Sequence, residues 1–162
     1  MIQISLFKEQ SKPYKYIIDS SSYISQKPNE PNRRTVNKSL WDYIDTLIQN
    51  DIIVTCSEIV DEIKDSELEE SIINLGMTII PVDEDIQSNV IKVVTQQPEL
   101  IDFKKIKSSG DAFLIATAMK YNLIIITEES KLSSKKIPKV ASSFGIESVN
   151  IIELCEKEGK QF

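Results

Sequence analysis

The sequence predicts an α/β fold, a three-layer α/β/α sandwich with a mostly parallel central sheet. Two observations predict it. Short β-branched runs alternate with amphipathic stretches of helical period along the whole chain, the pattern of helices laid over both faces of a parallel sheet. The clearest of those runs, Leu123 to Thr127, is apolar without a break before its threonine, as suits a parallel strand covered on both sides.

Taken in order, Lys15 to Ile18 reads as a short strand ending at Asp19, followed by a hydroxyl-rich turn, Ser20-Ser21-Ser22. Gln26 to Arg34, with Pro28 and Pro31, reads as a loop. Between Asn37 and Asn50, Leu40, Tyr43, Ile44, Leu47 and Ile48 recur at helical spacing. Ile52 to Val54 is a second strand, leading into a helix with Ile59, Val60 and Ile63 on its apolar side. Glu67 to Leu75 is a further helix, stopped by Gly76. Met77 to Val82 reads as a third strand, and Asp83 begins a helix carrying Ile86, Val90, Val93 and Val94. Gly110-Asp111 opens a helix to Tyr121, before the Leu123–Thr127 strand. A short helix around Val140 to Phe144, a strand from Ser148 to Ile151 and a closing helix complete the pattern. No repeat or linker divides it, so residues 1–162 are expected to form one domain.

Composition narrows the chemistry. Of 162 residues, 41% are hydrophobic and 27% charged, the profile of a globular protein. No apolar run approaches the roughly 20 residues of a membrane span. The start of the chain has neither the charged beginning nor the apolar block of a signal peptide, so no membrane association and a cytoplasmic location are expected. Cys56 and Cys155 stand far apart with no metal-type spacing and read as buried, reduced thiols. The chain has no histidine. That removes Ser-His-Asp and Cys-His sites, the usual zinc sites and the usual general base together. The net charge of −6 argues against a protein that coats nucleic acid, though an acidic metal site beside a basic groove remains compatible with it.

In an open parallel sheet, sites form beyond the carboxyl ends of the strands near a switch in strand order. Asp19 ends the first strand, Glu58 and Glu62 follow the second, and Glu128 and Glu129 follow Thr127. Asp111 lies in the first turn of its helix, where the helix dipole favours negative charge. Singly, these acids also read as a helix cap, a solvated face and a polar loop. Jointly, clustered carboxylates repel one another and need a cation or shared protons. An all-oxygen set without histidine or cysteine points to magnesium or manganese.

In order, the motifs are Asp19-Ser20-Ser21, Thr55-Cys56-Ser57-Glu58-Ile59-Val60-Asp61-Glu62, Gly110-Asp111-Ala112-Phe113-Leu114-Ile115-Ala116-Thr117-Ala118 and Thr127-Glu128-Glu129. This series resembles the PIN domain, the fold of many bacterial toxin ribonucleases of the VapC type, and the resemblance implies a PIN-like core of about 14–155. The resemblance implies a magnesium- or manganese-dependent endoribonuclease, with Asp19, Glu62, Asp111 and Glu129 as catalytic and metal-binding acids. Ser20, Ser21 and Thr127 match supporting hydroxyls. It also implies RNA as substrate, an antitoxin partner and a homodimer. The chain departs from the family's usual Thr-x-Asp at the fourth acid: Glu129 is one carbon longer, and Glu128 is the alternative. It is similar to a bacterial PIN-like subgroup of unknown function that shares the Thr-Glu-Glu form and a segment like Lys136-Ile137-Pro138.

Basic segments flank these acids. Ser130 to Ile146 contains no acid but carries Lys131, Lys135, Lys136 and Lys139, and Lys104, Lys105 and Lys107 precede Asp111. Such segments suit a phosphate-backbone groove, or equally ordinary solvated loops. Two other enzyme or signalling readings fail on particular residues. A haloacid-dehalogenase-type phosphatase needs an aspartate where Ser21 stands, and a phospho-receiver needs an acidic pair at the end of its first strand. A non-catalytic PIN-like module that binds RNA or protein is the alternative that stays open.

Overall fold

A computed structural model of the chain describes residues 12–97, 110–133 and 136–162. Five strands pair in parallel throughout: β1 (Tyr16–Ile18), β2 (Ile53–Cys56), β3 (Ile79–Ile80), β4 (Ile124–Ile126) and β5 (Ser148–Val149), in the order β3-β2-β1-β4-β5. Eight helices are described: α1 (Ser20–Ile24), α2 (Lys38–Gln49), α3 (Ser57–Glu62), α4 (Ser66–Leu75), α5 (Glu84–Gln96), α6 (Gly110–Tyr121), α7 (Ile137–Ser143) and α8 (Ile151–Lys157). The chain runs outward from β1 to β2 and β3, then crosses back to β4 and β5, so the order switches between β1 and β4.

Alternation along the strands splits the core into the two outer layers of a sandwich. Ile17, Val54, Cys56 and Ile125 face one side, against Ile59 of α3, Ile86 and Val93 of α5, Leu114 and Ile115 of α6 and Val140 of α7. Tyr16, Ile18, Ile53 and Ile126 face the other, against Tyr23 of α1, Trp41 and Ile44 of α2, Leu68 and Ile72 of α4 and Leu154 of α8. The predicted architecture is therefore the observed one, a three-layer α/β/α sandwich. Both cysteines are buried and free, and burial pushes the Cys56 thiol up to about 12. Among the described residues no helix is long and apolar enough to cross a membrane.

Local chemistry explains where the elements begin and end. Asp65 and Asp83 cap α4 and α5 by accepting from the backbone N–H of Leu68 and Ile86. Gly76 ends α4 at φ 69°, a left-handed conformation that glycine adopts without a Cβ penalty. Pro138 lies in the first turn of α7, where a missing N–H costs nothing, and the helix starts three residues earlier than its hydrophobic pattern suggests. The third strand is shorter than the Met77–Val82 run because β3 lies at the sheet edge, with Ile79 exposed. Ser20 to Ser22 are the opening of α1 rather than a turn. Asp19 caps that helix, and burying Tyr23 against the sheet outweighs the weak helical preference of serine.

Candidate functional site

The carboxyl ends of β1 and β4 meet at the switch point, and both lead directly into polar residues. Asp19 follows β1 and is 2% exposed; Thr127 follows β4 and is equally buried. A buried carboxylate is tolerated only where donors surround it. Asp19 Oδ1 accepts from the Ser20 N–H at 2.8 Å, and Oδ2 accepts from Ser21 Oγ at 2.8 Å and Thr127 Oγ1 at 2.9 Å. The two hydroxyls are aimed by the main chain beyond β4. Glu128 N–H donates to Ser21 Oγ at 3.1 Å, and Glu129 N–H to Thr127 Oγ1 at 3.2 Å. The serine-rich segment thus serves as a rigid cradle for one acid.

The other two acids arrive on helices from the same layer. Glu62 ends α3, and its Oε1 accepts the Gly110 N–H at 2.8 Å while Oε2 accepts Ser20 Oγ at 3.2 Å. Asp111 follows Gly110 in the first turn of α6. Asp19, Glu62 and Asp111 each offer a carboxylate oxygen within 4.8 Å of the others. Their proton affinities record the crowding. Burial first, then the charges of Glu129, Asp19 and Glu62, push Asp111 up to about 8, with Lys136 opposing. Burial also raises Asp19 against its hydroxyl donors, and raises Glu62 against the Gly110 N–H. Three crowded carboxylates with all-oxygen donors form a site able to chelate a hard divalent cation, and such a cation would remove the repulsion that raises Asp111.

The remaining sequence candidates fall around this group in different ways. Glu129 is outside the group of three, yet its charge is the largest neighbouring one acting on Asp111. Its own carboxyl is raised by burial and by Asp19, while its Oε1 accepts the Ile137 N–H at 3.4 Å. Glu58 lies one helical turn before Glu62 and adds to the negative potential there. Glu128 turns away: its carboxylate accepts from Ser22 Oγ, Asn32 Nδ2 and Ile151 N–H. Lys136 is exposed, and its charge reaches Asp111 and Glu129. Lys131 is exposed and paired with Glu153 Oε2 at 2.5 Å. Lys104, Lys105, Lys107 and Lys135 lie outside the described residues.

Gly110 is a site residue that periodicity did not reveal beyond its place at the start of a helix. A Cβ there would lie 2.3 Å from Glu62 Oε1 and 3.1 Å from Ile59 Cδ1. A side chain there would push the Glu62 carboxylate away from the position in which it accepts the Gly110 N–H. In Gly110→Ala the Glu62 carboxylate is displaced while alanine favours the helix. Divalent-cation affinity, read by calorimetry, is expected to fall about 10- to 100-fold, as when an outer-shell partner of a metal ligand is lost. The thermal midpoint of the metal-free protein should barely move. Unchanged affinity would show that Glu62 does not need this placement.

Residues 16–162 match the family described as "Domain of unknown function (DUF4411)". No curated protein matches the chain. Among solved structures, PAE2754 from Pyrobaculum aerophilum is similar at a TM-score of 0.55 and 9% identity over 92% of both chains. VapBC2 from Rickettsia felis, bound to a DNA fragment from their promoter, is similar at a TM-score of 0.52 and 16% identity, over 83% of this chain and 97% of that one. At these identities the likeness is one of fold, and that fold is PIN-like.

Proposed function

The chain belongs to the family described as Domain of unknown function (DUF4411), and from that premise we propose that it is a magnesium- or manganese-dependent endoribonuclease, the toxin of a bacterial toxin–antitoxin pair. The observation that carries this reading is the convergence of Asp19, Glu62 and Asp111 within 4.8 Å at the switch point. The PIN-like fold shared with a VapBC assembly supports the toxin assignment and an antitoxin partner.

In this reading Asp19, Glu62 and Asp111 hold the cation, and Glu129 completes the acidic wall beside Asp111. When bound, Mg2+ or Mn2+ would supply Lewis acidity at the phosphodiester and make a water acidic enough to attack it. The chain's own groups set the stage. Ser20, Ser21 and Thr127 hold Asp19 in one orientation, and Gly110 N–H holds Glu62. Glu129, with its raised proton affinity, is placed to accept or return a proton beside Asp111. Lys136 offers positive charge at the rim for the RNA backbone, and Lys131 extends it where its pairing with Glu153 exchanges for phosphate.

The direct test is cleavage of a mixed RNA substrate by purified protein, with Mg2+ or Mn2+ and with chelator. Cation-dependent cleavage is the expected result, and cleavage that survives chelation would refute the reading. Mn2+ binding that is lost in Asp111→Asn, without cleavage of the mixture, would mark a nuclease with a narrow target, whereas no divalent binding at all would favour the non-catalytic binding module. The rim is tested separately with Lys136→Ala. RNA affinity should fall by a similar factor for all sequences, and the slope of log affinity against log salt should drop by about 1. An unchanged slope would place the groove elsewhere.

A further inference from the structure

Glu128 and Glu129 are neighbours in sequence with separate sets of partners. Glu129 binds the start of α7 through Ile137 N–H. Glu128 binds the opposite layer through three donors: Ser22 Oγ at 3.2 Å and Ile151 N–H at 3.0 Å on Oε2, and Asn32 Nδ2 at 3.0 Å on Oε1. Ser22 is fully buried and Asn32 is 8% exposed. Asn32 is itself fixed, since its side chain donates to Ser25 Oγ at 3.2 Å and its carbonyl accepts from Trp41 Nε1. The main chain of Glu128 adds a fourth link, its N–H donating to Ser21 Oγ, which donates in turn to Asp19 Oδ2. One residue therefore clamps the first turn of α1 by side chain and backbone, and joins it to the start of α8 and to the loop around Asn32.

We infer that Glu128 is a positioning residue of the site: it holds the opening of α1 so that the Ser20 and Ser21 hydroxyls orient Asp19, and it is not itself a cation ligand. This rests on the reading that Asp19 helps hold a divalent cation. The clamp needs a carboxylate because donors meet both oxygens. Glutamine offers one oxygen and one NH2 group, and the NH2 group would fall opposite Asn32 Nδ2, donor against donor. Asn32→Asp alone would set two carboxylates face to face. Together, Glu128→Gln and Asn32→Asp restore a donor–acceptor pair with the polarity reversed.

The experiment measures Mn2+ affinity by calorimetry on the full chain, well below every variant's thermal midpoint, with midpoints recorded alongside. Each single variant is expected to bind Mn2+ about 10- to 100-fold more weakly, the cost typical of losing an outer-shell partner. The double variant should recover to within a few-fold of wild type. Wild-type affinity in Glu128→Gln would overturn the inference and leave Glu128 a purely structural residue. A double variant no tighter than Glu128→Gln would overturn it in favour of direct ligation through the charge. Wild-type protein that binds no Mn2+ refutes the reading of the site itself and takes this inference with it.

Discussion

Asp111→Asn is expected to abolish cation-dependent RNA cleavage while leaving the fold intact. Asparagine preserves the shape at the start of α6, so the packing of that helix against α5 and the sheet is untouched. The substitution removes one of three carboxylates that face one another within 4.8 Å. In the metal-free protein that loss is a relief, because burial and the like charges of Glu129, Asp19 and Glu62 all disfavour an ionised Asp111. The variant should therefore melt at the wild-type temperature or above it when no metal is present. With metal the order reverses, since a hard cation loses an anionic ligand that helped offset its dehydration. Cleavage should fall by more than the roughly 10- to 100-fold typical of removing a mere outer-shell partner. Assays on one RNA mixture, with melts in Mn2+ and in chelator, check both halves. A variant that cuts at the wild-type rate, or that is unfolded, would remove Asp111 from the proposed role.

The fold was legible because its determinants are local. Ile53-Val54 and Ile124-Ile125-Ile126 read as buried strands, and the helices between them carry their own stops and caps, such as Gly76 and Asp83. Asp19 and Asp111 are legible for the same reason, one ending a strand and the other opening a helix. What escaped depends on contacts between distant segments. Nothing in Pro28 to Arg34 marks Asn32 as a partner of a residue 96 positions on. The different tasks of Glu128 and Glu129 are invisible in a Thr-Glu-Glu string, because α8 and the Asn32 loop claim one carboxylate and α7 the other. Serine propensity suggested a turn at Ser20, while capping by Asp19 and burial of Tyr23 make a helix.

Metal-free protein should lose stability as pH rises, and divalent cation should restore it most strongly at the alkaline end. Asp111 has its proton affinity raised from the ordinary 3.8 to about 8, and Asp19, Glu62 and Glu129 are raised in the same direction, chiefly by burial. A carboxyl raised in the folded state holds protons that the unfolded chain has already released. Its contribution is therefore fully present below about pH 4 and is lost as pH climbs through the folded value. The four acids titrate as a set, so the decline should spread across the window from about 4 to about 8. Acid unfolding driven by other groups can mask the low end, which makes pH 6 to 8.5 the informative range. Cation binding requires the deprotonated carboxylates, so its effect runs the opposite way. At a hundredfold excess over its dissociation constant a ligand adds about 2.7 kcal/mol. For a chain of this length that corresponds to a rise in midpoint of roughly 5–10 °C. Thermal melts at fixed ionic strength, with Mn2+ and with chelator, should show the gap between the two curves widening from pH 6 and levelling above about 8. A gap of constant size across that range, or a metal-free midpoint that rises with pH, would show that the raised carboxylates are not the groups that meet the cation.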